Sequence, residues 1–479
     1  MVLIMNVYRA NTVLLLRAVW LLTLGASCSS PRIDDVSWSC AQRTDCLDGF
    51  ICLDNVCTPS SASGDDCTGG VCVLEGPISS NMTLTADKRW LLRGTVKVGS
   101  ETESLVLTIE PGTVILGEKN TKGVLSVQPG AQIDARGTKD HPIVFTSDQS
   151  EGSRDRGDWG GLVLNGQGTA NCQTPPCQFS DELGLYGGAN NQGSSGTLNY
   201  VRVEFAGAEL ANGKVSAGIT LRAVGASTSI RYVQVHRSRG SNFEVFGGAA
   251  QFKNVYLSAA EGYALRWRHG WVGKAQFVAI QQAGDVISPG GVSGANNTGS
   301  HDQEPRSVPS IYNMTVVGKA TTTEGQSVNK AGMIMEAGSG AILRNVIVTS
   351  FGDACFDIDD PATWVAAQNG TLSIDHSILD HDRCPLTAQG DADPSAPEVT
   401  DWLQNPTLDL VFGDPQLVNP FSSKTGPVDM RPIESSPALT HAATPPADGF
   451  FDTQMAAVVI GAYGLADLWS AAWTTDTHN

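Results

Sequence analysis

A repeated unit of short alternating strands joined by Pro-Gly turns predicts an all-β solenoid, the right-handed parallel β-helix. The segment SLVLTIEPGTVILG at 104–117 is matched 18 residues further on by VLSVQPGAQID, so that Pro111-Gly112 corresponds to Pro129-Gly130. The 479 residues include 52 glycines and only 17% charged residues, a composition typical of β-proteins with many tight turns. Because a strand this short buries its apolar face only against a copy of the same unit, we expect the two units to stack on each other.

Strand segments of the same kind continue through residues 76–402, the predicted extent of the β-helix. Six of them align on a central apolar residue with spacings of 32, 22, 23, 36 and 32 residues: Val201, Val233, Val255, Val278, Met314 and Val346. These spacings fit a rung of about 22 residues with inserted loops. Since strand side chains alternate between two faces, inward residues such as Val201, Val203, Val233 and Val235 should stack in register. A β-sandwich or propeller would instead need hairpin turns, and Asn-Gly and Asp-Gly pairs are sparse.

Residues 1–27 have the pattern of an export signal peptide. The apolar run at 18–24 is too short to span a bilayer, and the small residues Gly25, Ala26 and Ser27 precede Cys28. The segment LTLGASC resembles the lipobox of bacterial lipoproteins, with its leucine one position further from the cysteine than usual. A lipidated Cys28 implies an outer-membrane or cell-surface protein held by a lipid anchor. The alternative is ordinary secretion, or release to the periplasm, after cleavage beside the same small residues.

The cysteine count supports the lipid anchor and predicts disulfides. A lipidated Cys28 leaves ten of the 11 cysteines, an even number that suits an oxidising compartment. Residues 28–57 would then be the anchor and a knot too small for a hydrophobic core, crosslinked by disulfides, and residues 58–75 a linker. Zinc is the alternative for the knot, although it has no CxxC pair and no histidine. The predicted disulfide cysteines are Cys40, Cys46, Cys52, Cys57, Cys67, Cys72, Cys172, Cys177, Cys355 and Cys384.

Three features mark departures from regular rungs. Residues 184–197 and 284–307 are rich in Gly, Asn and Ser, and we interpret them as inserted loops that either carry binding or have no function. Residues 403–479, proline-rich and finally aromatic, should form C-terminal rungs and a cap folded over the last rung. Three cysteine pairs could bridge, the last of them across adjacent rungs: Cys67 and Cys72, Cys172 and Cys177, Cys355 and Cys384.

The charge balance limits the classes of partner. A formal net charge of -18 repels nucleic acid and anionic lipid headgroups, so neither is expected to bind the protein surface. An acidic surface could attract calcium, or it could simply keep the protein soluble and monomeric. We therefore expect a monomer with no cofactor, or with calcium.

The strongest acidic cluster lies in FGDACFDIDDPATW. If residues 356–359 form a strand, Asp357 and Asp359 project to one face with about 7 Å between their Cα atoms. Two carboxylates at this distance could act as acid and base on a glycosidic bond. Together with Asp353 and Asp360 they could instead bind calcium. The third interpretation is a capped turn with solvated acids.

The most basic and aromatic segment is EGYALRWRHGWVGK at 261–274. Aromatic rings stack on sugars and arginines bind carboxylates through two parallel hydrogen bonds, so the segment could recognise an acidic glycan. The alternative is that the tryptophans fill the core while the arginines pair with acids such as Glu244 and Glu261. The candidate binding residues are Tyr263, Arg266, Trp267, Arg268, Trp271 and Lys274, and Arg266, Arg268 and His269 are also catalytic candidates beside Asp357 and Asp359.

Known β-helix enzymes offer a comparison. Polygalacturonases have an Asp-rich set followed by His-Gly and Arg-x-Lys, whereas His269-Gly270 precedes Asp359 in this chain. A pectate lyase needs calcium-binding acids beside an arginine base, and Arg266 or Arg268 could serve as that base. The sequence has no Ser-His-Asp context, P-loop, HExxH motif or dinucleotide fingerprint.

Several motifs in order resemble a family of bacterial surface or secreted right-handed β-helix proteins, often lipoproteins, and the cysteine knot resembles those of myxobacterial surface proteins. The resemblance spans about residues 90–475. In the stretch matching 261–270, that family has acidic residues and an Asp-Trp pair, whereas this chain has Ala264, Arg266 and Arg268. The motifs are WGGLVLNG, SGTLNYVRVEFAG, FEVFGG, GWVGKAQF, EPRSVPSIYNMTVVG, FGDACFDID and SPALTHAATPPADGFFD.

The resemblance implies a rigid scaffold displayed at the cell surface. We expect non-catalytic binding or adhesion to a glycan, to matrix or to an envelope protein. The alternative is a polysaccharide lyase or glycoside hydrolase that acts on an acidic polysaccharide. The two hypotheses differ in where the acids and the basic segment face, because catalysis requires them to line one groove.

Overall fold

The computed structural model describes residues 39–40, 45–46, 50–53, 56–59, 67, 70–100, 104–172, 174, 176–178, 183–210, 213–319, 328–388, 394–421, 428–455 and 458–476. The predicted signal peptide, the lipidation site Cys28 and the possible disulfide partner Cys52 (apart from its backbone) lie outside these residues. No helix in the described ranges is both long enough and apolar enough to cross a membrane.

The described residues are mostly β-strands, with two short α-helices. The helices are α1 (Pro361–Gln368) and α2 (Ala396–Leu403). The strands are β1 (Phe50–Leu53), β2 (Val56–Pro59), β3 (Val71–Ile78), β4 (Met82–Leu84), β5 (Arg89–Val98), β6 (Val106–Ile109), β7 (Val114–Gly117), β8 (Val124–Val127), β9 (Gln132–Arg136), β10 (Ile143–Ser147), β11 (Gly161–Asn165), β12 (Cys177–Gln178), β13 (Leu185–Tyr186), β14 (Gly196–Glu204), β15 (Ile219–Arg222), β16 (Ser229–His236), β17 (Phe243–Phe246), β18 (Gln251–Ser258), β19 (Leu265–Arg268), β20 (Lys274–Gln281), β21 (Ser288–Ala295), β22 (Ser310–Val317), β23 (Asn329–Glu336), β24 (Ala341–Thr349), β25 (Ala354–Ile358), β26 (Leu372–Asp375), β27 (Ile378–Leu379), β28 (Val411–Phe412), β29 (Leu417–Asn419) and β30 (Asp429–Pro432).

The strands build three parallel sheets, which confirms the parallel β-helix. Sheet 1 contains β7, β10, the second halves of β14, β16, β18, β20, β22 and β24, and then β27 and β28. Sheet 2 stacks β8, β11, β15, β17, β19, β21, β23 and β25. Sheet 3 contains β4, β6, β9, the first halves of the same long strands, and β26. Each turn of the chain passes through the three sheets in order.

Each long strand crosses from sheet 3 to sheet 1 through one residue in the left-handed region. These corner residues have φ between 48° and 57°: Tyr200, Tyr232, Asn254, Phe277, Asn313 and Asn345. The residues that follow them pair in register from Val201 through Val233 to Val346, as the sequence alignment predicts. Val201, Val203, Val233 and Val235 are fully buried, which confirms the inward face.

Three expectations about the rungs need correction. The Pro-Gly units do not pair like with like, because Leu107, in the first strand of one unit, pairs with Ile133, in the second strand of the other, and not with its counterpart Leu125. The first rung begins at Val71, inside the predicted linker. The segment 284–307 is not all loop, since it contains β21. A Cβ at Gly294 would lie 2.2 Å from the Trp267 ring, so this strand needs a glycine there.

Four disulfides join described cysteines, as the cysteine count predicts. Three are the predicted bridges Cys67–Cys72, Cys172–Cys177 and Cys355–Cys384, and the last spans adjacent rungs. The fourth, in the amino-terminal knot, joins Cys46 to Cys57 beside the antiparallel pair β1 and β2. Cys40 is also disulfide-bonded.

The carboxyl-terminal part takes a different path from the expected cap. Helix α2 packs Val399 and Leu403 into the main core, and Trp402 contacts Phe356 of β25. The described residues of 442–476 run along the side of the solenoid, over the corner between sheets 3 and 1, and not over the last rung. Paired hydrogen bonds hold them there, for example both bonds between the Asn345 amide and the backbone of Ala443, at 2.9 and 2.7 Å.

Candidate functional site

The outer face of sheet 2 carries a row of charged side chains because its strands alternate strictly. On β19, Leu265 and Trp267 point into the core and are fully buried, so Arg266 and Arg268 point outward. Arg266 is in register with Glu244 on β17 and with Ser293 on β21. We call the outer face over β15, β17 and β19 the arginine groove.

The two arginines of β19 make only long ionic contacts. Arg266 Nη1 lies 3.8 Å from Glu244 Oε1, and Arg268 Nη2 lies 4.0 Å from Glu336 Oε1. Their side chains are 26% and 24% exposed. Among the described residues, the buried Nε atoms of both have no hydrogen-bond partner. The Nε atoms themselves are shielded from solvent, so the exposed part of each side chain is what a ligand could contact.

Loops on both sides of sheet 2 turn this face into a cavity of about 330 Å³. Arg222 on β15 lines the same cavity, in register with Phe246 and, one strand further, Arg268. The Arg222 guanidinium also lies 5.9 Å from the centre of the Tyr186 ring. The rest of the lining comes from Val163, Leu183, Leu210, Lys214, Val215, Ser216, Ala217, Thr220 and Glu244.

Tyr263 borders the groove at the turn before β19. The Arg266 guanidinium lies 5.6 Å from the centre of its ring. Burial, followed by the negative charge of Glu336, raises the pKa of Tyr263 to about 12. The phenol therefore stays protonated at neutral pH and can donate a hydrogen bond.

Two of the predicted acids lie on the same outer face, further along the axis. Asp357 is in the column of Arg266, three strand spacings away, about 14 Å. It is buried and accepts hydrogen bonds from Thr387 Oγ1 at 2.9 Å and from the Ala388 amide at 3.2 Å. Asp359 follows β25 and is exposed. The acids and the arginines therefore share one outer face, with Asp357 three strands further along the axis than Arg266.

The other two predicted metal ligands have different surroundings. Asp360 caps α1, where its carboxylate accepts from the amides of Ala362 and Thr363 at 2.9 and 3.1 Å. Asp353 is exposed and precedes β25, at the end opposite Asp359. In the described ranges, no set of these carboxylates converges as metal ligands would; the only convergent group contains Cys40, Cys46 and Cys57, which are disulfide-bonded.

The side chains of the basic and aromatic segment lie in different places: the core, the outer face and edge of sheet 2, and sheet 3. Trp267 and Trp271 are fully buried, and their Nε1 atoms donate to Ser339 Oγ and to the Ala250 carbonyl, so neither ring can stack on a ligand outside. Lys274 lies on sheet 3, 2.6 Å from Asp448. His269 sits at the end of β19, where burial lowers its pKa, and its Nδ1 lies 3.4 Å from the Tyr186 hydroxyl. Of this segment, Arg266 and Arg268 line the groove and Tyr263 borders it.

Sequence reasoning missed part of the groove. Arg222 alternates with Ile219 and Leu221 on β15 in the same way as the β19 arginines alternate with their neighbours, so period two alone could have placed it outward. Glu336 ends β23 in the same manner and accepts from Ser293 Oγ at 3.1 Å. The lining residues Leu183 and Leu210 carry no signal in the sequence, because their position depends on how two long loops fold.

The comparisons with known proteins agree with this architecture. Residues 76–402 match the family model described as a pectate-lyase like beta helix domain. Searches of curated proteins and of solved structures gave no match. The matched region covers most of the chain and contains all three parallel sheets. The chain therefore belongs to the pectate-lyase like beta helix family.

Proposed function

We propose that the arginine groove binds an acidic glycan through its carboxylate groups. One observation carries the proposal: Arg266 and Arg268 project side by side from one strand into a cavity, with about a quarter of each side chain exposed and ionic contacts to described residues no shorter than 3.8 Å. Arginine binds carboxylates through two parallel charge-assisted hydrogen bonds, which are about twice as strong as neutral ones.

Charge and aromatic surface near the arginines support the same ligand class. The chain as a whole carries a formal charge of -18, so a cluster of arginines is a local exception that would select a carboxylate ligand. The aromatic side chains of Tyr263 and Phe246 border or line the groove and offer apolar surface to sugar rings.

The proposed setting is the outer membrane or cell surface. A lipid on Cys28 would anchor the protein there, and the solenoid would act in adhesion to a polysaccharide or to an envelope protein. The alternative location is outside the cell or in the periplasm, after secretion without a lipid. Mass spectrometry of the mature protein from membranes tests this: a diacylglyceryl-modified Cys28 at the amino terminus supports the anchor, and an unmodified terminus contradicts it.

A polysaccharide lyase is the second candidate. The observation that favours it is the shared face of Arg266, Asp357 and Asp359, in a chain of the pectate-lyase like family. An arginine would remove the proton next to the uronate carboxyl group, and calcium would neutralise that group. Asp357 already accepts two hydrogen bonds and the acids do not converge, so the described carboxylates do not form a ready calcium site.

A glycan array followed by product analysis separates the two. The native protein and Arg268→Gln are tested on neutral, acidic and sulfated glycans, with Arg136→Gln as control because Arg136 lies on sheet 3 with its side chain 67% exposed. We expect binding to carboxylated glycans that Arg268→Gln loses and Arg136→Gln keeps, without chain cleavage. Unsaturated products that disappear in Asp359→Asn would favour the enzyme, and no binding to any carboxylated glycan would contradict the proposal.

A further inference from the structure

We infer that the arginine groove is closed at its amino-terminal end and takes the terminal acidic residue of a glycan whose following residues are uncharged. The inference rests on the proposed binding of an acidic glycan and specifies which part of that glycan is bound. Three observations carry it: an apolar wall, a small cavity against that wall, and the order of charges along the axis.

An apolar wall stands across the outer face of sheet 2 where the cavity ends. Leu183 and Leu210, from loops on opposite sides of the sheet, pack with Val124 and Val163 of the sheet surface. Leu183, Leu210 and Val163 also line the cavity. A chain lying along the axis would meet these side chains one strand before Arg222, so it cannot continue past them.

The loop that carries Leu183 is fixed to the sheet by hydrogen bonds. The Leu183 carbonyl accepts from Ser126 Oγ at 2.6 Å, from Gln128 Nε2 at 3.1 Å and from Asn165 Nδ2 at 3.1 Å. All three donors are buried side chains on the outer face of β8 and β11 or directly after β8. Three bonds to one carbonyl make this side of the wall part of the solenoid and not a mobile flap.

The described residues on the other side of the wall, 208–210 and 213–216, are joined by backbone hydrogen bonds. The Leu210 amide donates to the Lys214 carbonyl at 2.9 Å, and the Ser216 amide donates to the Ala208 carbonyl at 3.0 Å. Ser216 Oγ ties this side of the wall to the sheet by donating to the Gly160 carbonyl at 2.7 Å. Lys122 Nζ donates to the Glu209 carbonyl nearby. Both sides of the wall are therefore held independently.

The cavity against the wall is small. Its volume of about 330 Å³ is at the lower limit of ligand pockets, which begin at roughly 300 Å³. Arg222, Arg266 and Arg268 all line it, together with Lys214 and one acid, Glu244. The acidic group of the ligand therefore belongs in the closed end, together with the end of the chain.

The charges reverse beyond the cavity. After Arg266 and Arg268, the same outer face carries Glu336 and then Asp357 and Asp359. A polyuronate that left the cavity in this direction would place carboxylates beside carboxylates, and like charges at short range repel each other. Uncharged or amino-bearing residues would meet no such repulsion. The site therefore favours a single terminal acid over a polyanion.

Binding stoichiometry on chains of different length tests the inference. The first probe is a neutral oligosaccharide that ends in one glucuronate residue, and the second is oligogalacturonate in short and long fractions, both titrated calorimetrically in the presence of a chelator. We expect one protein per chain for every length and an affinity at least about tenfold higher for the single-acid probe, equivalent to about 1.4 kcal/mol. A glucuronate blocked by reduction of its carboxyl group should not bind.

The outcomes separate this inference from the proposed function. Binding of several proteins per long oligogalacturonate chain would overturn the closed end but leave acidic-glycan binding intact, whereas failure of both probes would overturn the proposed function. The double variant Leu183→Ala, Leu210→Ala should open the wall. The number of protein molecules bound per glycan chain should then rise with the length of the glycan. Leu465→Ala, on a surface residue that is 44% exposed, is the matched control. If the double variant does not fold, the binding stoichiometry of the native protein still distinguishes a closed groove from an open one.

Discussion

Two long surfaces of the same solenoid differ in how their polar groups are satisfied. Over the corner between sheets 3 and 1, the chain's own carboxyl-terminal segment pairs with side-chain amides: Gln276 bonds both the amide and the carbonyl of Asp452, and Gln234 does the same with Thr475. Over sheet 2, Arg266 and Arg268 make contacts of 3.8 and 4.0 Å and keep unsatisfied Nε atoms.

The difference agrees with the proposal that the corner serves stability and the arginine groove serves a ligand. Buried polar groups left without partners cost free energy, about 1–3 kcal/mol each. The corner avoids this cost with a second stretch of backbone that fits the amides in pairs. The arginine groove has no such backbone partner, and its arginine side chains stay 26% and 24% exposed.

The largest expected effect is the loss of the aromatic contact that holds the carboxyl-terminal segment. Trp473 is fully buried, with its ring 5.5 Å from that of Tyr200 and 6.4 Å from that of Tyr232. Trp473→Ala should lower the free energy of unfolding by about 3–5 kcal/mol, because a large cavity opens at the corner. Denaturant unfolding measures this.

Binding should separate the two surfaces in the same variant. Trp473→Ala is expected to keep the affinity of the folded protein for acidic glycan, since the groove lies on sheet 2. Leu465→Ala, with a half-exposed leucine in the same segment, should change neither quantity by much. A Trp473→Ala protein that stays as stable as the native one would show that the segment is not part of the stabilising core.

The sequence pattern predicted the solenoid well because the same local backbone geometry recurs in each long strand. The corner residue before Val201, Val233 and their counterparts fixes where each long strand turns, so aligning the strands on these residues gave the true register. The same alternation that placed Arg266 and Arg268 outward also requires Trp267 to point inward. Of the two interpretations of this segment, the one that placed the tryptophans in the core therefore agreed with the pattern.

Other features depend on distances that sequence does not contain. The Pro-Gly units look alike, but their corresponding strands do not pair with each other, because pairing depends on the length of a whole rung and not on the turn. The carboxyl-terminal segment is held by amide side chains that bond backbone, and such bonds leave no periodic signal. Leu183 and Leu210 lie in two different loops, and the sequence does not show that these loops meet to form the apolar wall.

The second prediction concerns the groove arginines. Arg266→Gln and Arg268→Gln should each weaken binding of a carboxylated glycan by about 1.5–3 kcal/mol, or about 10- to 100-fold, because each removes a charge-assisted hydrogen bond. Stability should fall by no more than about 0.5 kcal/mol, since their ionic contacts are long and partly exposed and removal of an unpaired buried Nε atom offsets part of any loss. Calorimetric titration and denaturant unfolding of the same samples give both quantities.

The outcome that would contradict this contrast is a loss of stability as large as the loss of binding. It would mean that the arginines hold the sheet together, as the amides hold the corner. Arg268→Lys is a useful companion, because it keeps the charge but cannot form two parallel hydrogen bonds. We expect it to recover only part of the affinity.

The smallest predicted effect comes from arginines that, unlike those of the groove, do have a close partner. Arg156 and Arg237 are buried and each lies 2.8 Å from a carboxylate oxygen of Asp285. Burial alone would raise the pKa of Asp285, but the hydrogen bonds and charges of the two arginines lower it from 3.8 to about 2. The ionised carboxylate therefore stabilises the folded protein above pH 3.8, and this contribution disappears as the pH falls toward 2.

Asp285→Asn should therefore be less stable than the native protein at pH 7 by about 1–2 kcal/mol, after allowance for solvent screening of a carboxylate that is 33% exposed. The difference should shrink between about pH 4 and pH 2, where the native carboxylate becomes protonated. Asp302→Asn is the matched control, because Asp302 pairs with Arg306 at 2.7 Å but its side chain is 86% exposed. Urea unfolding across this pH range measures both variants, and a deficit of Asp285→Asn that is the same at pH 7 and pH 2 would mean that close pairing of these arginines does not stabilise the fold through charge.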